Sequence, residues 1–253
     1  MEVNKQYDFL AGEVLAFDKD LDWTAFQLVA KVRWMLSRKL GVKRLKVGHA
    51  GTLDPKATGV ELLCTGKATK RIEALQQCTK EYIAELTLGA TTPSFDLELP
   101  VDATYPTAHI TRELVEKTIP QFVGEIDQVP PVFSACKIEG KRAYDLARKG
   151  KDVALQAKRI RIDEIEILGF ELPRLTLRVV CGKGTYIRSL ARDLGEALGS
   201  GAHLTGLRRT RVGDYEVQNC FSLEQFAQWL ETASIALPTA DLSGQTKSNA
   251  TKK

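Results

Sequence analysis

The sequence predicts an α+β fold: a mixed, mainly antiparallel central sheet flanked by helices and loops. Three observations lead there. Segments such as "EYIAELTLG" and "RLTLRVVC" alternate apolar and polar residues with the period of a half-buried strand. Two others, "WTAFQLVAKVRWMLSRKLG" and "YIRSLARDLGEALG", repeat apolar residues with the spacing of a helix. The two kinds of segment are intermixed without the regular strand–helix–strand alternation of a parallel sheet.

In chain order, the first helix opens at Thr24, where Gln27 completes a capping-box pattern. Its apolar stripe is Phe26, Val29, Val32, Leu36 and Leu40, and Gly41 is the natural stop. A glycine-rich loop follows, then "VELLC" as a short buried strand. "EYIAELTLG" sets Tyr82, Ala84, Leu86 and Leu88 on one face. "TTPSFDLELPVDATYP" is turn-rich, and Thr111 caps a short helix running to Phe122. "RIRIDEIEILGF" and "RLTLRVVC" alternate again, the second with Leu175, Leu177, Val179 and Cys181 on one side. "GKGTYIRSLARDLGEALGSG" passes from a strand end into a helix with the stripe Ile187, Leu190, Ala191, Leu194 and Leu198, ended by Gly199. "SLEQFAQWL" is a short capped helix, and the polar "SGQTKSNATKK" is expected to be disordered.

At 253 residues, 43% hydrophobic and 27% charged, the chain is long enough for one large domain or two smaller ones and ordinary for a globular protein. No apolar run approaches the length of a membrane span, and "MEVNKQYDFL" is no signal peptide, so a cytoplasmic location is expected. Five scattered cysteines (Cys64, Cys78, Cys136, Cys181, Cys220) without a CxxC pair argue for reduced thiols and against a zinc cluster; with three histidines, no metal site is expected. Charge is segregated: residues 1–80 carry a net +5, residues 81–127 −7 and residues 137–211 +8. Basic blocks of this kind suit a polyanion, most simply nucleic acid, although solvated Lys and Arg alone produce the same count.

The motifs of nucleotide, dinucleotide and zinc-deaminase chemistry are absent, which leaves acid–base or nucleophilic catalysis by side chains, or a binding module. Within "KVGHAGTLDPKATGV", Asp54 precedes Pro55, which biases it toward extended conformations, and Gly51 and Gly59 free the backbone to approach a ligand. An isolated "GTLDP" reads equally well as a plain Asp-Pro turn. In "CGKGTYIRSLARDLG", Tyr186 and Arg188 lie two apart at a strand-to-helix junction and point to one side if the junction is extended. Arg188 has a fork suited to a carboxylate, or to an ordinary structural ion pair. Tyr82 at a strand start is a core aromatic or a stacking platform, and His49 a turn residue or a ligand contact.

In order and spacing, "GHAGTLDPKATGVELLCTGKATK", "KEYIAELTLGATTPSFD", "PPVFSACKIEGKRAYDLAR" and "CGKGTYIRSLARDLGEALGSGAHLTGLRR" resemble the bacterial tRNA pseudouridine synthase B family, from about Gly12 to Arg211. The resemblance implies a pseudouridine-synthase fold and isomerisation of uridine-55 in the T-loop of tRNA, by base flipping and a catalytic aspartate, with no cofactor. It assigns Asp54 as that aspartate, Tyr82 as the residue stacking on the flipped base and Arg188 as the partner that keeps Asp54 ionised by lowering its pKa. His49 becomes the histidine inserted into the T-loop, Tyr186 and Leu207 line the substrate pocket, and Lys183 supports them. Whether the carboxylate acts at the ribose or at uracil C6 stays open.

Residues 1–211 are then the catalytic domain and 212–253 a short C-terminal extension, too short for a full PUA domain, its last ~15 residues disordered. The partner is the tRNA T stem-loop; no membrane and no protein partner are expected, and the chain is expected to be a monomer. The sequence departs from the family's "DKPxGxxS" with "DKDLDWTAF": Asp20 and Asp22 replace proline and glycine, which puts the local turn in doubt. Phe133 stands where tyrosine is common. Two readings compete: a non-catalytic RNA-binding or tRNA-folding module, which the basic blocks alone would serve, and a cofactor-dependent RNA methyltransferase. An intact Asp54 favours the isomerase.

Overall fold

The structure, a computed structural model, describes residues 5–133, 137–138, 141–142 and 155–238. The expected disorder of the last residues, and Cys136, lie outside these ranges. In chain order the elements are β1 (Val14–Lys19), α1 (Ala25–Leu40), β2 (Val47–His49), β3 (Ala57–Thr65), α2 (Ile72–Gln77), β4 (Lys80–Leu88), β5 (Ala90–Thr91), β6 (Ala103–Thr104), α3 (Arg112–Thr118), β7 (Gly124–Gln128), β8 (Lys137–Ile138), β9 (Lys141–Arg142), β10 (Lys158–Glu171), β11 (Arg174–Cys181), α4 (Ile187–Ala197), β12 (Ala202–Val212), β13 (Tyr215–Glu216) and α5 (Leu223–Thr232).

The alternation in β4 and β11 is what builds the middle of the main sheet, whose order is β1-β3-β12-β4-β11-β10-β7, with β2 beside β3 and β13 beside β12. The pairs are antiparallel except β3 with β12, so the sheet is mixed and mainly antiparallel as expected. The inward faces of β4 (Tyr82, Ala84, Leu86, Leu88) and β11 (Leu175, Leu177, Val179, Cys181) pack against the α4 stripe, whose residues from Ile187 to Leu198 are buried as read from the spacing. β3 is different: Leu63 faces one core while Val60, Leu62 and Cys64 face another. Burial on both sides explains why "VELLC", Glu61 apart, is apolar on both faces rather than alternating.

α1 keeps its Thr24–Gln27 capping box and ends at Gly41 in the left-handed region, φ 66°. One expectation is corrected. Phe26 is 70% exposed, and Ala25 and Leu28 take its place in a buried stripe with Val29, Val32, Leu36 and Leu40. The stripe is set by what α1 faces, chiefly Phe9, Phe17 and Phe226, and Phe26 points a quarter-turn away from it. β12 and β1 were not recognisable as strands. In β12 two register shifts, between Leu204 and Gly206 and between Arg209 and Arg211, break the two-residue period that would announce it.

α5 is capped by Ser222 and Gln225 and seats Phe226 and Leu230 in the aromatic core with α1. The bridges Tyr7 to Ile235 and Phe17 to Phe221 tie the segments around Tyr7 and from Phe221 to Ile235 into that core. Among the described residues, Cys64, Cys78, Cys181 and Cys220 are free thiols. No helix there is long and apolar enough to cross a membrane.

Candidate active site

The loop between β2 and β3 carries Asp54, and backbone bonds fix it at both ends. Ala50 donates to Leu62 O at 2.8 Å, and Ala57 donates to Asp54 O at 3.0 Å. Gly59, at φ 106°, is needed where β3 meets β12: a Cβ there would lie 2.2 Å from Arg209 O. Next to the loop, Asp22 N–H donates to Pro55 O at 2.8 Å and its carboxylate meets Lys56 Nζ at 2.7 Å. Asp22 itself adopts φ 63°. Aspartate is among the few side chains that tolerate that region, so the turn put in doubt by the missing glycine forms all the same. Lys19 closes it, donating to the carbonyls of Asp20 at 2.9 Å and Trp23 at 2.7 Å.

Arg188 reaches the loop from the first turn of α4. It is 4% exposed; Nη2 lies 2.9 Å from Asp54 Oδ2, Nε lies 3.6 Å from Asp96 Oδ2, and Nη1 donates to Ser94 O at 3.3 Å. The helix start is placed by Gln128 at the end of β7. Its side-chain amide accepts from Tyr186 N–H at 2.8 Å and donates to Tyr186 O at 3.1 Å. Ser189 Oγ adds a bond to Val129 O at 2.8 Å.

The electrostatics correct one expectation. Arg188 does pull the Asp54 carboxyl down, but burial pushes it up further and the nearby Asp96 carboxylate adds to the rise, so the net direction is upward. Tyr82, buried in β4, stays a neutral phenol because burial raises it, and Arg209 donates a hydrogen bond to its hydroxyl. Arg209 is held in turn by Val60 O at 2.7 Å and by Glu61, 3.4 Å away.

A cleft of about 240 Å³ is lined by Asp54, Tyr82, Lys183, Tyr186, Arg188 and Leu207, with Lys80 and Arg209 at its wall. Six of the seven residues singled out from sequence thus meet in one cavity. His49 does not line it: it sits in β2, half-buried, with Nδ1 3.7 Å from Glu61 Oε1. A second recess of about 120 Å³, lined by Leu21, Lys56, Asp96 and Leu97 among others, shares Asp54 and Arg188 with the first.

The reading from sequence missed Asp96, Glu61 and Arg209. Only Glu61 left a signal, as the single charge inside the apolar run "VELLC". Chemically, the arrangement offers a carboxylate held by a guanidinium at the mouth of a cleft, beside an aromatic wall.

Comparison with known proteins places the chain in a family. The model of the TruB family pseudouridylate synthase (N-terminal domain) matches residues 37–187, and that of the tRNA pseudouridylate synthase B C-terminal domain matches residues 188–238. A Phocaeicola vulgatus protein named tRNA pseudouridine synthase B is 67% identical over 228 residues, 90% of this chain and 97% of that one. A protein of the same name from Flavobacterium johnsoniae is 51% identical over 225 residues, 88% and 98% of the two chains. Among solved structures, a chain of a Cbf5-Nop10-Gar1 complex superimposes with a TM-score of 0.65 at 30% identity, over 87% of this chain; the chain spans 55% of that one.

Proposed function

The chain belongs to the TruB family of pseudouridylate synthases, isomerases that convert uridine in tRNA to pseudouridine, and from that premise we propose that its target is uridine-55 of the T-loop. The observation that carries the proposal is the 2.9 Å pair of Asp54 and Arg188 in a cleft walled by Tyr82. The uridine is flipped out of the folded loop, at a cost of a few kcal/mol, and the uracil lies against Tyr82 while Asp54 acts on the nucleoside. The N1–C1′ bond breaks, the ring turns, and C1′ bonds to C5, which loses its proton while N1 gains one. Nothing is oxidised or hydrolysed, so the balance requires no cofactor. Asp54 is the catalytic residue, at the ribose or at uracil C6, and the Arg188 guanidinium favours its charged form against the burial that opposes it.

Tyr186 and Leu207 flank the base, Lys183 supports the substrate from the cleft wall, and the half-exposed His49 enters the gap that the flipped base leaves. The catalytic domain is residues 1–211, with 212–253 as a short extension, working as a monomer in the cytoplasm. Mapping pseudouridine by carbodiimide treatment and primer extension on a tRNA transcript tests this. Asp54→Asn is expected to abolish the stop at position 55 while tRNA affinity stays within about tenfold, ~1.4 kcal/mol. Pseudouridine formed by the variant would sink the assignment.

A further inference from the structure

Among the buried ionisable groups that the reaction as described leaves unused, one lies directly behind the Asp54 loop. Glu61, in the middle of β3, is fully buried. Its Oε2 accepts from the Leu53 N–H at 3.1 Å, the amide immediately before Asp54. The same oxygen lies 3.4 Å from Arg209 Nη2, and that nitrogen also donates to Gly51 O at 3.3 Å. Glu61 and Arg209 therefore hold the segment Gly51–Leu53 that leads into Asp54 at two points: one grips an N–H, the other a carbonyl, and the two grip each other. The second carboxylate oxygen, Oε1, makes no hydrogen bond; nor does His49 Nδ1, which faces it at 3.7 Å.

We propose that Glu61 is a positioning residue for this reaction, fixing the Asp54 loop through the Leu53 amide and Arg209, and that its ionisation sets how firmly the loop is held. This rests on Asp54 being the reactive carboxylate. The charged groups that face Glu61 are Arg209 from β12, His49 from β2 and Lys19 from β1, with Tyr82 of β4 reached through Arg209. Arg209 and Lys19 favour the carboxylate, but burial outweighs them and pushes it up to about 7. A protonated Glu61 loses the charge-assisted hold on Arg209 and weakens its acceptance from Leu53. The loop then tightens as pH rises through neutrality, independently of the titration of Asp54.

The test is the single-turnover rate of pseudouridine formation on a full tRNA transcript, for the wild type and Glu61→Gln, with affinity measured by filter binding. At about pH 8 the variant is expected to be about tenfold slower with tRNA affinity within about twofold, a rate effect without a binding effect. At about pH 6 the wild type is itself protonated, so the ratio of the two rates is expected to shrink below about twofold. The ratio cancels the titration of Asp54. A ratio constant across the range, or a loss confined to affinity, overturns the proposal.

A measurement on the wild type alone guards against a variant that fails to fold. The Leu53 amide resonance is expected to shift with a midpoint near pH 7, where Glu61 titrates, and a flat trace overturns the proposal equally. An inactive Asp54→Asn beside a flat ratio would place the fault in this inference and not in the reactive-carboxylate reading.

Discussion

The core between α1, α5 and β1 and the core beneath the cleft are built from different materials. The first is almost wholly aromatic and aliphatic: Phe17 and Phe226 meet at 5.0 Å, and Tyr7 and Trp229 at 4.9 Å, with Phe9 and Leu36 fully buried beside them. Around the cleft, Lys19, Glu61, Asp96, Arg188 and Arg209 are all buried within the fold. Burying charge is costly unless each group is paired, and here the pairs hold one loop and one helix end in register. One region carries stability, and the other surrenders some of it for geometry.

That contrast can be broken most sharply from the apolar side. Phe226→Ala is expected to cost about 4 kcal/mol by denaturant melts, with the activity of the folded fraction unchanged. A loss of activity per folded molecule would dissolve the distinction.

On the charged side, Glu61 makes stability depend on pH in an unusual direction. Its folded value of about 7 lies above the ordinary 4.5. Between those values the native chain holds a proton that the unfolded chain has lost, so stability falls as pH rises through the window. The drop amounts to about 3 kcal/mol, and Glu61→Gln should flatten it in melts from about pH 4.5 to pH 7.5. Arg188→Lys keeps the charge but loses the fork that spans Asp54 and Asp96. Its single-turnover rate is expected to drop about a hundredfold, ~2.7 kcal/mol, with little change in melting. Smallest is Thr24→Ala, which removes the α1 cap: about 1 kcal/mol of stability and no change in rate.

Much of the fold was legible wherever one face of an element is buried and the other is not. β4, β11 and α4 announce themselves because burial and period coincide along their length. β12 does not, because its bulges shift the period and its buried Arg209 reads as a surface residue. Phe26 misled because an apolar residue one step off the stripe is indistinguishable from one on it until the partner surface is known. The residues gathered in the cleft were identified by resemblance, since local spacing around Asp54 describes a turn and nothing more. Asp96 and Arg209 act across separations of 92 and 148 residues from Arg188 and Glu61, and no local pattern records such pairings.

The place of β12 in the sheet has a consequence for how the molecule is made. It lies between β3 and β4, yet among the described residues it is the last long strand to leave the ribosome. Until residues 202–212 are synthesised, β4 and the Ala57–Gly59 end of β3 lack their partner strand, and the cleft lacks Leu207 and Arg209. The nascent chain therefore carries Asp54 for most of synthesis without a finished cleft around it. A stalled or truncated product, with two open edges at the centre of its sheet, is the form most exposed to aggregation.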